Sequence, residues 1–367
     1  MCYSAYLHVP FCNEICSYCD FTRCRYHAGL ANSWLIQIQN DIKEKLKDVQ
    51  LTTMYIGGGT PSALSARQLN ELLQALAPYT AACNEYTIEA NVESFDTDKI
   101  KMCVEAGVNR VSLGVQTLQP ALLQMINRHH TRAAILKVIQ DIHRAGIDNI
   151  SIDVMYGLPN QTMAMWKKDL EDIVVNFSIE HISLYALTIE EHSAFGRQGV
   201  QPADPELEAD MYEYAIEYLT SHGFEHYEIS SFAKNNQQSQ HNKAYWHYDD
   251  FVGLGCGASG KQAHTRYDNT KNLHTYITKG ASAKVIELSK ADEMFEMVMM
   301  SLRMKEGLSL QRFKEVFHED ATIVFEHQIQ KHMLLHHLCK SETHIFANEK
   351  GMEVLHDILV DFLPDEM

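Results

Sequence analysis

For roughly its first two thirds the chain alternates between short runs rich in β-branched, aromatic and aliphatic residues and longer stretches with apolar residues at i, i+3 and i+4. The short runs, residues 3–9, 52–56, 85–89, 110–115, 149–154 and 181–186, read as strands. The longer ones, 30–46, 66–76, 97–106, 132–145 and 164–175, read as helices, with Gly107 and Gly146 where helix-ending glycines belong. Six strand–helix units in series predict an α/β fold, a partial (β/α)6 TIM-like barrel of parallel strands joined by helical crossovers. A further helix over 205–221 ends at Gly223 and leads into 224–230, which reads as an added strand that widens the sheet.

Beyond this point the pattern changes. The run 235–240 (NNQQSQ) reads as a polar loop, and the glycines of 253–260 (GLGCGASG) ask for unusual backbone angles or close approach. From about residue 289, short amphipathic helices over 291–304, 311–317 and 321–338, a β-hairpin near 343–351 and a last helix over 352–363 resemble a winged-helix module. The expected domains are a barrel over 1–235, a glycine-rich linking segment over 236–288 and a small C-terminal helical, winged-helix-like domain over 289–367, acting as a lid or docking element.

Composition narrows what this architecture serves. At 367 residues and 46% hydrophobic the chain buries a large core. Its formal charge of −17, with acids outnumbering bases roughly two to one in the C-terminal module, argues against a phosphate-contacting surface and so against nucleic acid. The nine cysteines are odd in number and scattered, which is no disulfide framework and fits a reducing, cytoplasmic setting. The N-terminus has no charged and apolar leader, so no signal peptide is expected. No apolar run approaches the ~18 residues of a spanning helix, and no transmembrane segment is expected.

Three cysteines stand apart. Cys12, Cys16 and Cys19, spaced CxxxCxxC, suit a four-iron cluster that leaves one iron without a protein ligand; electron-transfer clusters are closed by four cysteines, and structural zinc wants four ligands. Zinc stays open if Cys24, His8 or His27 supplies the fourth. Polar residues gather at the C-terminal ends of the expected strands, where barrel active sites form. The cysteine loop follows the first strand and 57–62 (GGGTPS) the second; Glu89 and Asn91 end the third, Gln116 the fourth and Asp153 the fifth. Each has an ordinary role singly, as a cap or a turn, but together they outline a pocket. A ligand for the open iron should offer a chelating pair, as the amine and carboxylate of S-adenosylmethionine do. The glycine run lets backbone carbonyls accept from its ammonium, Asp153 suits ribose hydroxyls, and Arg128 either reaches the ligand carboxylate or faces solvent on a loop.

The cysteine spacing, the aromatic Tyr18 before the last cysteine and the glycine run resemble radical S-adenosylmethionine enzymes, in which the cluster donates one electron to the sulfonium and releases a deoxyadenosyl radical. More narrowly, 6–12 (YLHVPFC), 55–62 (YIGGGTPS), 107–116 (GVNRVSLGVQ) and 153–159 (DVMYGLP) resemble the oxygen-independent coproporphyrinogen III oxidase group, from about residue 6 to 258. The resemblance implies a [4Fe-4S] cluster on Cys12, Cys16 and Cys19, with Tyr6, Gly58, Gly59, Thr60, Glu89, Gln116, Arg128 and Asp153 around S-adenosylmethionine. Within the group, the oxidases carry a fourth cysteine two positions after the third, where this chain has Phe21. The Cys19-Asp20-Phe21 ending and 241–246 (HNKAYW) resemble instead the haem chaperones called HemW. Their HNxxYW motif implies haem binding, with His241 as axial ligand and Tyr245 and Trp246 as an aromatic wall. On local sequence alone His241 is an exposed loop histidine beside a polar run. Two departures are Val92, where the family places proline, and the extra thiol of Cys24.

The resemblance thus implies a protein, not primarily an enzyme, that binds haem and delivers it to recipient, respiratory haem proteins, with scope for peripheral membrane contact and a need for an electron donor to the cluster. The alternative it implies is an oxidase that decarboxylates two propionates in porphyrin biosynthesis. No residue is assigned a catalytic role.

Overall fold

In the computed structural model, which describes residues 2–364, the strands share one alternation: polar side chains on one face, apolar on the other. Cys2–Val9, Gln50–Gly58, Glu85–Asn91, Arg110–Gln116, Asn149–Tyr156 and His181–Ala186 pair in parallel in that order. Leu7, Ile56, Ile88, Leu113, Ile152 and Ile182 all lie fully buried in the main core, together with Trp34, Ile38, Leu69 and Ile139 from the covering helices. The alternate positions carry Ser4, Tyr6 and His8, Thr53 and Tyr55, Thr87 and Glu89, Arg110 and Ser112, Ser151 and Asp153, and His181, Ser183 and Tyr185. The partial barrel therefore encloses a polar, tyrosine-rich lumen instead of a packed apolar interior.

The strands run further than expected. Gly57 and Gly58, read as following the second strand, still pair with His8 and Val9. Asp153, read as ending the fifth, is followed by Val154, Met155 and Tyr156 in the same strand. The expected linker is also corrected: Phe251–Leu254 pairs in parallel with the first barrel strand, and Ser259–Gln262, Thr265–Asp268 and Lys284–Glu287 continue outward as antiparallel hairpins. At the far edge Ser231–Ala233 intervenes between His181–Ala186 and the expected extra strand, Glu225–Glu228, giving twelve strands in the sheet among the described residues.

The C-terminal part folds around its own core of Met297, Leu308, Phe313, Phe325, Ile345 and Ile358. Its three-stranded sheet of Leu308–Ser309, His344–Ala347 and Leu338–Lys340 sits among Lys290–Ser301, Leu310–Phe317, Ala321–Val324 and Glu326–Leu334, the order of a winged helix. The hairpin turns at 341–343, earlier than expected, and the single helix expected over 321–338 breaks at Phe325, whose ring plugs that core.

Helix packing on the sheet depends on few large side chains. Trp166, on Met163–Asn176, is fully buried, donates from Nε1 to the Met211 carbonyl at 2.7 Å, and packs against Tyr156 at 5.8 Å between ring centres. Trp166→Ala is expected to cost about 3–5 kcal/mol, read as an earlier urea midpoint for the barrel, because a large cavity is left in the core and the indole hydrogen bond is lost with it.

Candidate functional site

The cysteine loop is closed by backbone. A two-residue parallel pairing of Phe11–Cys12 with Cys24–Arg25 joins its ends, with Cys24 N–H donating to the Pro10 carbonyl and Tyr26 N–H to the Cys12 carbonyl, each at 2.8 Å. Its middle is held from two neighbouring loops: Ser17 N–H donates to the Ile126 carbonyl at 3.1 Å, and Phe195 N–H to the Ser17 carbonyl at 2.9 Å. Burial pushes the Cys12 thiol up to about 12, with the Thr60 hydroxyl 3.5 Å from its sulfur, and burial raises Cys19 as well. Neutral thiols in such a setting lose their protons when cationic iron takes their place.

The three candidate fourth ligands for zinc are engaged elsewhere. His8 Nε2 donates to the Thr22 carbonyl at 2.6 Å, so its Nδ1 accepts from the Tyr6 hydroxyl at 3.0 Å. His27 caps the helix Ala28–Lys45 through Leu30 N–H. Cys24 stands on the closing strand and packs against the main core. Three thiols without a fourth donor suit an open-iron cluster better than tetrahedral zinc.

The glycine run lies between this loop and the lumen. Gly58 has φ +114°, and a Cβ there would fall 2.6 Å from the His8 ring; a Cβ on Gly59 would fall 2.9 Å from the Phe11 and Val9 carbonyls. Gly58 N–H donates to Glu89 Oε2 at 3.0 Å, while the Tyr55 hydroxyl donates to Oε1 at 2.9 Å. Burial, then the charge of Asp153, push Glu89 up to about 7 against these two hydrogen bonds. Burial likewise pushes Asp153 up to about 6, opposed by Arg110, Ser112 and Ser183.

At the mouth, Gln116 adopts a left-handed backbone (φ 62°) and is buried with its side-chain oxygen unpartnered, an acceptor without a donor. Arg128 is not solvent-facing. Its side chain is 5% exposed and donates to Asn91 Oδ1 at 3.0 Å, to the Gly114 carbonyl at 2.8 Å and to both oxygens of Glu93 at 3.2 and 3.3 Å. Burial pushes Glu93 up, but the His130 ring and the Arg128 charge outweigh it and hold its carboxyl well below the usual range.

His241 lies elsewhere. It sits on the helix Gln240–Trp246, whose first amides, of Gln240 and His241, donate to the two oxygens of Glu85 at 2.9 Å each. Glu85 begins its strand, so this helix forms the floor of the lumen, at the opposite end from the cysteines. The expectation of an exposed loop histidine is corrected: His241 is 1% exposed. Its Nδ1 meets the Thr53 hydroxyl at 2.8 Å, its Nε2 meets the Tyr245 hydroxyl at 2.7 Å, and its ring stacks on Tyr55 at 5.0 Å. Burial, reinforced by Arg110, pushes its pKa down to about 3, so the ring is neutral. Tyr245 joins the lumen, whereas Trp246 turns to the C-terminal domain, where the Arg303 guanidinium covers its ring at 4.7 Å. That domain also reaches the same helix through Ser301, whose hydroxyl donates to the Trp246 carbonyl, and Arg312, which donates to the His247 carbonyl. These contacts brace the floor.

The structure thus brings Tyr6, Gly58, Gly59, Thr60, Glu89, Gln116, Arg128 and Asp153 to the cysteine end and places His241 and Tyr245 below them. Sequence reasoning missed Tyr55, Glu93 and Arg110, and weighed His8 only as a zinc ligand. His8, Tyr55 and Arg110 stand at inward positions of strands already drawn, so the phase set by Glu89 and Asp153 would have placed them in the lumen.

Residues 6–173 match the Radical SAM superfamily, and residues 288–354 the HemN C-terminal domain. The heme chaperone HemW of Lactococcus lactis is 36% identical, over 99% of this chain and 98% of that protein. The heme chaperone HemW of Bacillus subtilis is 32% identical, over 98% of this chain and 99% of that one. The coproporphyrinogen III oxidase HemN of Escherichia coli shares the fold, with a TM-score of 0.85 over 98% of this chain and 89% of its own at 19% identity. Among the described residues no helix is long and apolar enough to cross a membrane. Full-length identity at this level, on a fold with an open three-cysteine loop, shows that the chain belongs to the HemW family of the radical S-adenosylmethionine superfamily.

Proposed function

We propose that this protein is a haem chaperone: it holds haem in the barrel lumen above His241 and passes it to recipient haem proteins. The observation that carries the reading is the placement of the HNKAYW helix as the floor of a lumen walled by Tyr6, Tyr55, Tyr185 and Tyr245, with a neutral histidine at its centre. A flat aromatic macrocycle suits such walls. Four propionates of coproporphyrinogen would ask for several free cations, and Arg128 is already bound to Glu93.

Membership of the superfamily implies a [4Fe-4S] cluster and S-adenosylmethionine, and the residues present suit both. Cys12, Cys16 and Cys19 supply the thiolates, the unpartnered oxygen of Gln116 awaits a donor, and Glu89 and Asp153 offer acceptors for an ammonium and for ribose hydroxyls. When bound, the cluster supplies one-electron chemistry at the sulfonium and draws on an external one-electron donor. The chain's own part is to orient the ligand through Tyr6, Thr60 and the glycine run, while Arg128 is held by Glu93, Asn91 and the Gly114 carbonyl and braces the mouth.

The test is anaerobic titration of the cluster-bearing protein with haem. One haem per chain is expected; no stoichiometric binding, or turnover of coproporphyrinogen III with methionine release, would sink the proposal in favour of the oxidase. The carboxylate of Glu89 gives a separate expectation. With its pKa near 7, S-adenosylmethionine should bind about tenfold more weakly at pH 6 than on the alkaline side, because the ammonium then meets a protonated acid. Equilibrium dialysis at pH 6 and pH 7.5 checks the sign; Glu89→Gln should flatten the profile.

A further inference from the structure

The two ends of the lumen are joined by side chains. Tyr55 stands between them: its hydroxyl donates to Glu89, which also receives Gly58 N–H from the glycine run, and its ring lies on His241 at 28° between planes. A second connection runs beside it, from the Tyr6 hydroxyl to His8 and from His8 to the Thr22 carbonyl in the cysteine loop, with the Tyr6 and Tyr55 rings 6.1 Å apart. The strand Gln50–Gly58, which carries Tyr55, spans the same distance, with Thr53 at the floor and Gly58 at the cysteine end. The floor helix is otherwise held by Glu85, Thr53 and the C-terminal domain.

We propose that Tyr55 is a positioning residue that couples the S-adenosylmethionine site to the haem motif, so that occupation of the upper site holds His241 in place and weakens haem capture. This inference rests on the haem-chaperone reading above. An ammonium beside Glu89 keeps its carboxylate ionised, and a hydrogen bond from Tyr55 to an ionised acceptor is roughly twice as strong as one to a neutral acid. The firmer bond fixes the Tyr55 ring, and the fixed ring keeps His241 Nε2 against the Tyr245 hydroxyl. Linkage makes the effect reciprocal: haem that draws Nε2 of His241 from Tyr245 shifts the ring on Tyr55 and lowers affinity for the upper ligand by the same factor. S-Adenosylmethionine bound and haem loaded then become competing states of one protein, which gives the upper site a regulatory use.

Hydrogen–deuterium exchange on the cluster-reconstituted, full-length protein tests the coupling without haem. Adding S-adenosylmethionine should slow exchange in the floor helix Gln240–Trp246 by about fivefold, at the low end of measured site-to-site couplings, and Tyr55→Phe, which keeps the stacked ring but loses the hydroxyl, should remove the effect. Unchanged exchange in the parent, or an equal effect in Tyr55→Phe, overturns the inference. The second arm is haem titration with and without S-adenosylmethionine. About fivefold weaker binding with it is expected in the parent and none of that difference in Tyr55→Phe; equal or tighter binding in the parent overturns the coupling. Absence of haem binding in either condition overturns the chaperone reading instead, while the exchange result still decides whether the two sites communicate.

Discussion

Cys19→Ala should lose the cluster while keeping the fold. Three thiolates serve three irons, and removing one leaves two irons without a protein ligand; bound iron and sulfide are expected to fall from about four each per chain to well below one. The fold should survive because the loop is closed by the Phe11–Cys12 and Cys24–Arg25 pairing and by Ser17, not by the Cys19 side chain. Far-UV circular dichroism should therefore match the parent while the visible cluster absorbance disappears. Cys24→Ala is the necessary contrast. Cys24 packs on the main core from the closing strand, so its alanine variant should retain iron at the parent's level. Iron retained by Cys19→Ala, or lost from Cys24→Ala, would overturn the three-thiol assignment, the second by making Cys24 a ligand.

The barrel was legible because each strand repeats one local signal, a run of β-branched and aliphatic residues cut off by a polar or glycine-rich turn. That signal gave His181–Ala186 its full extent but ended the second strand too early, since Gly57 and Gly58 are turn-formers in isolation and strand residues only because His8 and Val9 lie alongside. Sheet pairing is non-local, and glycine says nothing of its partner. The same limit turned the stretch 236–288 into a linker: its strands are four residues each, the last three are partly exposed and carry polar side chains, and only their neighbours make them part of the sheet. The cluster end of the site was readable because its cysteines and glycines carry a recognisable spacing and its carboxylates lie in the C-terminal halves of their strands. The floor was not. His241 is buried by Glu85, Thr53 and Tyr55, each more than 150 positions away in sequence, while its immediate neighbours, 235–240, are polar and suggested exposure.

On the proposal that His241 ligates haem iron, the hydrogen bonds at the floor point to Nε2 as the ligating nitrogen, and two substitutions should separate its partners. The Thr53 hydroxyl donates to Ser4 Oγ at 2.8 Å, so it is left to accept from His241 Nδ1–H. That assignment, made from the network, puts the lone pair on Nε2, where the Tyr245 hydroxyl donates to it at 2.7 Å. This is the arrangement of a metal-binding histidine whose other nitrogen is anchored, except that a tyrosine proton occupies the iron's place. His241→Ala should raise the haem dissociation constant by about 10–100-fold, the usual range for loss of groups around a metal site, and should remove the absorption bands of a histidine-ligated iron. Tyr245→Phe should act in the opposite direction. It frees Nε2 of a hydrogen bond with a net worth of about 0.5–1.5 kcal/mol, which corresponds to roughly 2–10-fold tighter haem binding with the bands retained. The opposition of signs distinguishes ligation at Nε2 from a wall role alone: Tyr245→Phe keeps the ring and loses only the hydroxyl, so haem held by aromatic walls would bind that variant as it binds the parent. Parent-like affinity and spectrum in His241→Ala would remove His241 as the ligand, and weaker binding in Tyr245→Phe would mean that the tyrosine grips the haem directly instead of guarding the histidine.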